Sequence, residues 1–187
     1  MLGAYLRARF PLRIFGFAAI GIAAAARWAS TAPPASAALV GATALSVLLL
    51  LQFRLWDDIE DRDHDRTAHP ERVLVRTPAA PYRRALMYVA LTNVAICGVA
   101  GSTAAIEIVF LDLGFYAAYR RIRRYVPDAM WRFSILLIKY PAFVVVVATV
   151  LGVPQGGRLS AAAMAAYATA CVYEALHGRR HVAGVTS

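Results

Sequence analysis

Apolar residues in this chain neither alternate nor return every third or fourth position. They run on for most of twenty residues at a time and stop at proline, glycine or arginine. Such runs lie near 12–31, 36–56, 84–102, 104–119, 133–153 and 159–176. About 20 apolar residues is the length a helix needs to cross the ~30 Å hydrocarbon core of a bilayer. Inside that core the backbone must satisfy its own hydrogen bonds, which for runs of this length means helices. The pattern predicts an all-α fold, a polytopic transmembrane helical bundle of about six spans, with 1–187 as one integral membrane domain. Ala32-Pro33-Pro34-Ala35-Ser36 and Val153-Pro154-Gln155-Gly156-Gly157 read as turn-forming linkers, and only Gly101-Ser102-Thr103 parts the third run from the fourth.

Composition agrees with that pattern. The chain is 60% hydrophobic and 17% charged with a mean hydropathy of +0.55, against about half and a quarter in soluble domains. A net charge of +9 would ordinarily raise nucleic acid as a partner. Here the arginines flank apolar segments, so membrane topology accounts for them and no nucleic acid is expected. Seventeen arginines fall before or at the start of the first span, between Arg54 and Arg84, between Arg120 and Arg132, and after the sixth span, whereas only Arg27 and Arg158 fall at the opposite ends of the spans. Positive charge gathers on the cytoplasmic side. This predicts a multi-pass protein of the cytoplasmic membrane with both termini inside (N-in/C-in) and a cytoplasmic acidic loop over 57–83. Cys97 and Cys171 each sit in an apolar run without partner spacing and read as buried bystander thiols. Small residues of the first span (Gly16, Gly21, Ala23 to Ala26) and of the sixth (Ala161 to Ala163, Ala165, Ala166) predict close helix packing.

One stretch breaks the pattern. FRLWDDIEDRDHDRTAHPERVL, Phe53 to Leu74, holds seven of the chain's eleven carboxylates. If the second helix continues to about Arg66, then with Asp57 at zero Asp61 falls at about 40°, Asp65 at about 80° and Asp58 at about 100°. Like charges four apart disfavour a helix by about 0.2–0.5 kcal/mol per pair, and aspartate is a poor mid-helix residue. A cation on that face would offset both. Mg²⁺ is commonly held by one or two carboxylates together with substrate phosphates. The interleaved arginines would then meet leftover phosphate oxygens. The other reading is a solvated loop whose D-R-D-H-D-R alternation neutralises itself.

Trp56-Asp57-Asp58-Ile59-Glu60-Asp61-Arg62-Asp63-His64-Asp65, at the inner end of a second span, resembles the first aspartate-rich motif, N-D-x-x-D-x-x-x-D, of the UbiA superfamily of intramembrane prenyltransferases. Asp65-x-x-x-x-Pro70-Glu71-Arg72-Val73-Leu74 is similar to the D-x-x-x-x-P-E-R-P-[IL] that comes after it, and Tyr116-Ala-Ala-Tyr119-Arg120-Arg121 to the aromatic-then-basic end of the family's fourth span. The resemblance implies the first six helices of a nine-span bundle with a central cavity open to the cytoplasm. It implies transfer of a polyprenyl group from its diphosphate to a lipid-soluble or aromatic acceptor, with Mg²⁺ as cofactor and polyprenyl diphosphate and membrane lipids as partners. On that basis Asp57, Asp58, Asp61 and Asp65 would carry the metal, and Arg62, Arg72, Arg120 and Arg121 would contact the diphosphate. The departures are specific. Asp57 stands for the usual Asn and Val73 for Pro, and the sixth span ends Val172-Tyr173-Glu174 where a second aspartate-rich motif belongs. The alternative is therefore a non-catalytic UbiA-like membrane protein that binds a lipid diphosphate, or one whose site is completed by a second membrane subunit supplying the missing acidic motif. A small transporter is a third class, since intramembrane charges also mark transport paths.

Glu107, Asp112, Lys139 and Glu174 fall within expected spans and are functional candidates by default. Asp112, Lys139, Glu174 and Tyr116 are the candidates for lining a cavity. Counted back from Arg120 and forward from Arg132, Asp112 and Lys139 come to about the same depth, roughly 10–12 Å, which predicts an Asp112–Lys139 ion pair. Trp28, Trp56 and Trp131 near span ends read as an aromatic belt.

Overall fold

In a computed structural model, which describes residues 2–31, 35–125 and 135–183, the chain is all helical, with no strand among the described residues. The helices are α1 (Leu2–Arg9), α2 (Leu12–Ala29), α3 (Ser36–Glu60), α4 (Arg62–Ala68), α5 (Val73–Arg76), α6 (Ala80–Ala100), α7 (Ser102–Tyr125), α8 (Lys139–Val150) and α9 (Gly157–Ala183). Among the described residues four segments are long and apolar enough to cross a membrane: Leu12–Ala29, Ser36–Glu60, Ser102–Arg121 and Gly157–Leu176. The third and fifth expected spans appear as α6, of 21 residues, and α8, of 12, which fall outside that set. Large apolar side chains such as Phe17, Val99, Phe110 and Met164 stand exposed on the outer faces. Exposed apolar surface on that scale is the mark of a protein whose surroundings are themselves apolar.

The short helix α8 is the centre. It packs against α2, α3, α6, α7 and α9, and Phe143, Val144, Val146, Val147 and Ala148 are all buried. A helix apolar all round has no face for water and belongs inside. Its late start has a local cause. Pro141 has no N–H to give the Leu137 carbonyl, and that oxygen instead accepts from Tyr140 N–H at 3.1 Å, in a tighter turn over Leu137 and Ile138. The fifth expected span is therefore not one straight helix over its described residues 135–153. At the other end the chain leaves α8 through Gly152, whose φ of 70° is one an L side chain rarely adopts.

Close packing around this centre uses alanine, not glycine. Ala19, Ala23, Ala26 and Ala29 form the buried face of α2, and Ala162 and Ala163 do the same on α9. Gly21 is exposed, and a Cβ added at Gly16 or Gly21 would meet nothing within 4 Å. The expectation that these glycines mediate contact is thus corrected. Beneath α3 a second, smaller core forms from Tyr5, Leu55, Leu74 and Tyr82. It ties α1, the end of α3, α5 and the start of α6 together, so the segment over 57–83 is folded rather than an open loop.

Candidate functional site at the acidic end of the bundle

Helix α3 reaches past the core on Leu49, Leu50 and Phe53, all buried, and carries the first aspartates out with it. The helical ladder runs on through the acidic stretch, with Asp61 N–H donating to Asp57 and Asp65 N–H to Asp61, both at 2.9 Å. The chain stays helical to Arg66, the condition on which those angles depend, with a single turn residue at Asp61 between α3 and α4.

The aspartates nevertheless do not form one ligand face. Asp57 turns toward α7 and α8, where its carboxylate accepts from the Tyr119 hydroxyl and the Lys139 ammonium. Asp58, 4% exposed, turns toward α1 and accepts from Tyr5 Oη at 2.9 Å and from Arg9 Nη2 and Nε at 2.6 and 3.2 Å, with Arg54 Nη2 at 3.3 Å. Asp65, also 4% exposed, is held by Arg72. Asp61 is exposed and, with Asp57 and Glu60, lies within electrostatic reach of Tyr119. An arc of about 100° is wide enough for its two edges to meet different neighbours, and here they do. Among the described residues no group of three or more His, Cys, Asp or Glu is arranged to hold a metal ion. The four aspartates expected to share a Mg²⁺ do not fit that role together. Asp57 and Asp61, four apart on one side, are the pair that stays on a common face.

The basic residues divide in the same way. Arg72 holds Asp65, and Arg62 Nη2 donates to the Thr77 carbonyl at 2.7 Å. Both fasten the acidic segment to the stretch of chain just beyond it. Arg120 and Arg121 are exposed toward the end of α7, and the Arg120 guanidinium lies 4.8 Å over the Tyr116 ring. Tyr116 is 50% exposed on α7. Glu174 is exposed on α9, within electrostatic reach of Tyr140. Trp28 is 60% exposed, as a belt residue would be, whereas Trp56 packs inward against the core. Trp131 lies outside the described residues.

The expected Asp112–Lys139 pair is not formed. Lys139, 7% exposed, bonds to Asp57, and Asp112 accepts from Gln52 Nε2 at 2.6 Å. The depth count assumed an unbroken helix back to 133, and the turn before Lys139 invalidates it. Lysine at a helix start meets the positive end of the helix dipole, and the Asp57 carboxylate offsets this. Under the pair lies an aromatic wall: Trp56 is 5.5 Å from Tyr119, Phe53 is 5.1 Å from both Phe115 and Phe143, and Tyr140 is 6.0 Å from Phe143.

Tyr5, Arg9 and Arg54 carry much of this geometry without a motif that marks them. Burial, with the Asp58 carboxylate adding to it, pushes the Tyr5 phenol well above its ordinary range, so it stays a donor. Comparison with family models, with curated proteins and with solved structures finds no match to the chain.

Proposed function

We propose that the chain is a six-span, UbiA-like integral membrane protein, with its acidic segment and termini in the cytoplasm, that binds the diphosphate head of a polyprenyl lipid without turning it over. The observation that carries this reading is Lys139 at the start of α8, a buried cation at the arginine-rich end, met by Asp57 over an aromatic wall. A helix N-terminus reinforced by lysine is an anion site. The carboxylate stands where a phosphate oxygen would be chemically equivalent, and Arg120 and Arg121 lie toward the same end. The apolar walls suit a prenyl chain. The non-catalytic form is favoured because Asp58 and Asp65 are spent on Arg9, Arg54 and Arg72, so the acidic run works as a staple between segments.

One observation favours a second reading, Mg²⁺-dependent polyprenyl transfer. Asp57 and Asp61 share a side, with Tyr119 in reach of both. A partner subunit would then have to supply the second acidic motif. Binding of a short polyprenyl diphosphate to purified protein, with Mg²⁺ and with chelator, separates the two. The non-catalytic reading expects binding in chelator that survives Asp61→Ala and falls about 10- to 100-fold in Lys139→Met, the loss of one charge-assisted contact. Binding only with Mg²⁺, abolished by Asp61→Ala, would favour the transferase. No binding under either condition sinks both.

A further inference from the structure

Helix α7 carries a carboxylate through the apolar body of the bundle. Asp112 lies about midway along the segment Ser102–Arg121 and is half-buried. On its inner side Oδ1 accepts from Gln52 Nε2 of α3 at 2.6 Å, and Gln52 Oε1 in turn accepts from Asn93 Nδ2 of α6 at 2.7 Å. Both amides are 0% exposed, and the donors run in sequence toward Asp112. N–H groups aligned in this way complement a carboxylate anion. The other oxygen, Oδ2, has no hydrogen-bond partner among the described residues and is not enclosed. The helix geometry says where it lies. With Ile108 at zero, Asp112 falls at about 40°, Tyr116 at about 80°, Val109 at about 100° and Leu113 at about 140°. Ile108 is buried, whereas Tyr116, Val109 and Leu113 are 50%, 41% and 58% exposed. Asp112 therefore stands at the seam where the core stripe of α7 gives way to its outward face.

Charged side chains in the hydrocarbon region are almost always paired. Asp112 is not. No ion pair to it forms among the described residues. Lys139 is bonded to Asp57, and it is the one basic residue well inside an apolar run, the arginines standing at run ends. A second copy of the chain thus brings no free cation to this depth. We infer that the outward face of α7 docks a transmembrane helix of a different protein, whose basic side chain at mid-membrane depth pairs with Asp112 Oδ2. One cationic side chain needs only the one free carboxylate oxygen. Gln52 and Asn93 hold the inner oxygen and so keep the outer one presented. Val109, Leu113 and Tyr116 provide the apolar surface along which the second helix packs. This contact involves neither Lys139 nor Asp57 and goes beyond the lipid-binding reading.

The test reconstitutes the full chain in phosphatidylcholine vesicles with a synthetic transmembrane helix of leucine and alanine that carries one central lysine. Energy transfer from the chain's tryptophans to a dansyl group on the peptide reports association. Two comparison peptides have leucine in place of the lysine, or the lysine moved to the membrane surface. The central-lysine peptide is expected to bind about 10- to 100-fold more tightly than either, the yield of one charge-assisted contact. Asp112→Asn is expected to remove that advantage and Asp112→Glu to retain it. Equal binding of the three peptides, or an advantage that survives Asp112→Asn, overturns the proposal. Should Asp112→Asn not fold, the two lysine peptides decide, because they differ only in the depth of the charge and equal binding overturns the proposal. Self-association of the chain without peptide, abolished by Asp112→Asn, would place a second copy on this face and overturn it as well.

Discussion

Lys139 and Asp57, 82 positions apart in the chain, meet at the acidic end of the bundle, the one at the first turn of the central helix and the other near the end of α3. Their side chains are 9% and 17% exposed. Removing one partner of a buried pair costs about 3–5 kcal/mol because the other charge is stranded, whereas removing both is often near neutral. Lys139→Met and Asp57→Asn are each expected to destabilise by that amount, and the double variant by much less. Unfolding in mixed micelles provides the measurement. A double variant as unstable as the sum of the singles would mean that the two charges do not interact.

Asp58 makes a different prediction, about the N-terminal segment. With Tyr5, Arg9 and Arg54 around it, Asp58 clamps α1 to the end of α3. Asp58→Ala is expected to release α1 and to expose Arg7 and Arg9 to trypsin, with cleavage at least ~10-fold faster than in the native chain, since losing a charged hydrogen bond is worth about 1.5–3 kcal/mol. Unchanged cleavage would place the hold on α1 in its apolar contacts with Leu74 and Tyr82 instead.

The Tyr5 phenol carries the pH dependence of that clamp. Its affinity for its proton is raised in the folded chain, by burial first and by Asp58 second. A free tyrosine loses its proton near pH 10. The folded state therefore holds the proton where the unfolded chain has released it, so this contribution is whole below about pH 10 and diminishes as pH rises above it. Tyr5→Phe is expected to lower stability at neutral pH and to flatten the loss between about pH 10 and 11. Parallel alkaline limbs for the two proteins would show that Tyr5 keeps its proton no more tightly when folded.

How much of this was legible in the sequence differs by kind of interaction. The apolar runs announced the helices because length and hydropathy are local properties. Helix α1 went unread because it offers only Leu2, Tyr5 and Leu6 as large apolar residues and its anchor, Asp58, lies 49 positions beyond Arg9. The aspartate run was placed in a loop over 57–83, with a helix to about Arg66 only as a condition, and helix angles alone say where a side chain starts and not which neighbour it meets. Asp57 and Asp58 separated because α8 lies on one side and α1 on the other. Lys139 was placed wrongly by one overlooked signal, Pro141, which ends the helix that the depth count assumed. Gln52 and Asn93 carried a visible signal, as amides within apolar spans, where such residues commonly bond between helices.

The packing around α2 offers the sharpest contrast between what a small residue suggests and what it does. Ala26 is 0% exposed on the face toward the core, whereas Gly21 faces outward with nothing within 4 Å of an added Cβ. Enlarging a well-packed site forces neighbours off their preferred rotamers at about 1–3 kcal/mol. Ala26→Leu is expected to destabilise by that much, whereas Gly21→Ala should be neutral or stabilising by about 0.5–1 kcal/mol, the helix-propensity gain. Unfolding midpoints of the two variants in the same detergent decide the matter. A destabilised Gly21→Ala beside a tolerated Ala26→Leu would mean that α2 is rotated in its groove, turning its glycine face and not its alanine face to the bundle.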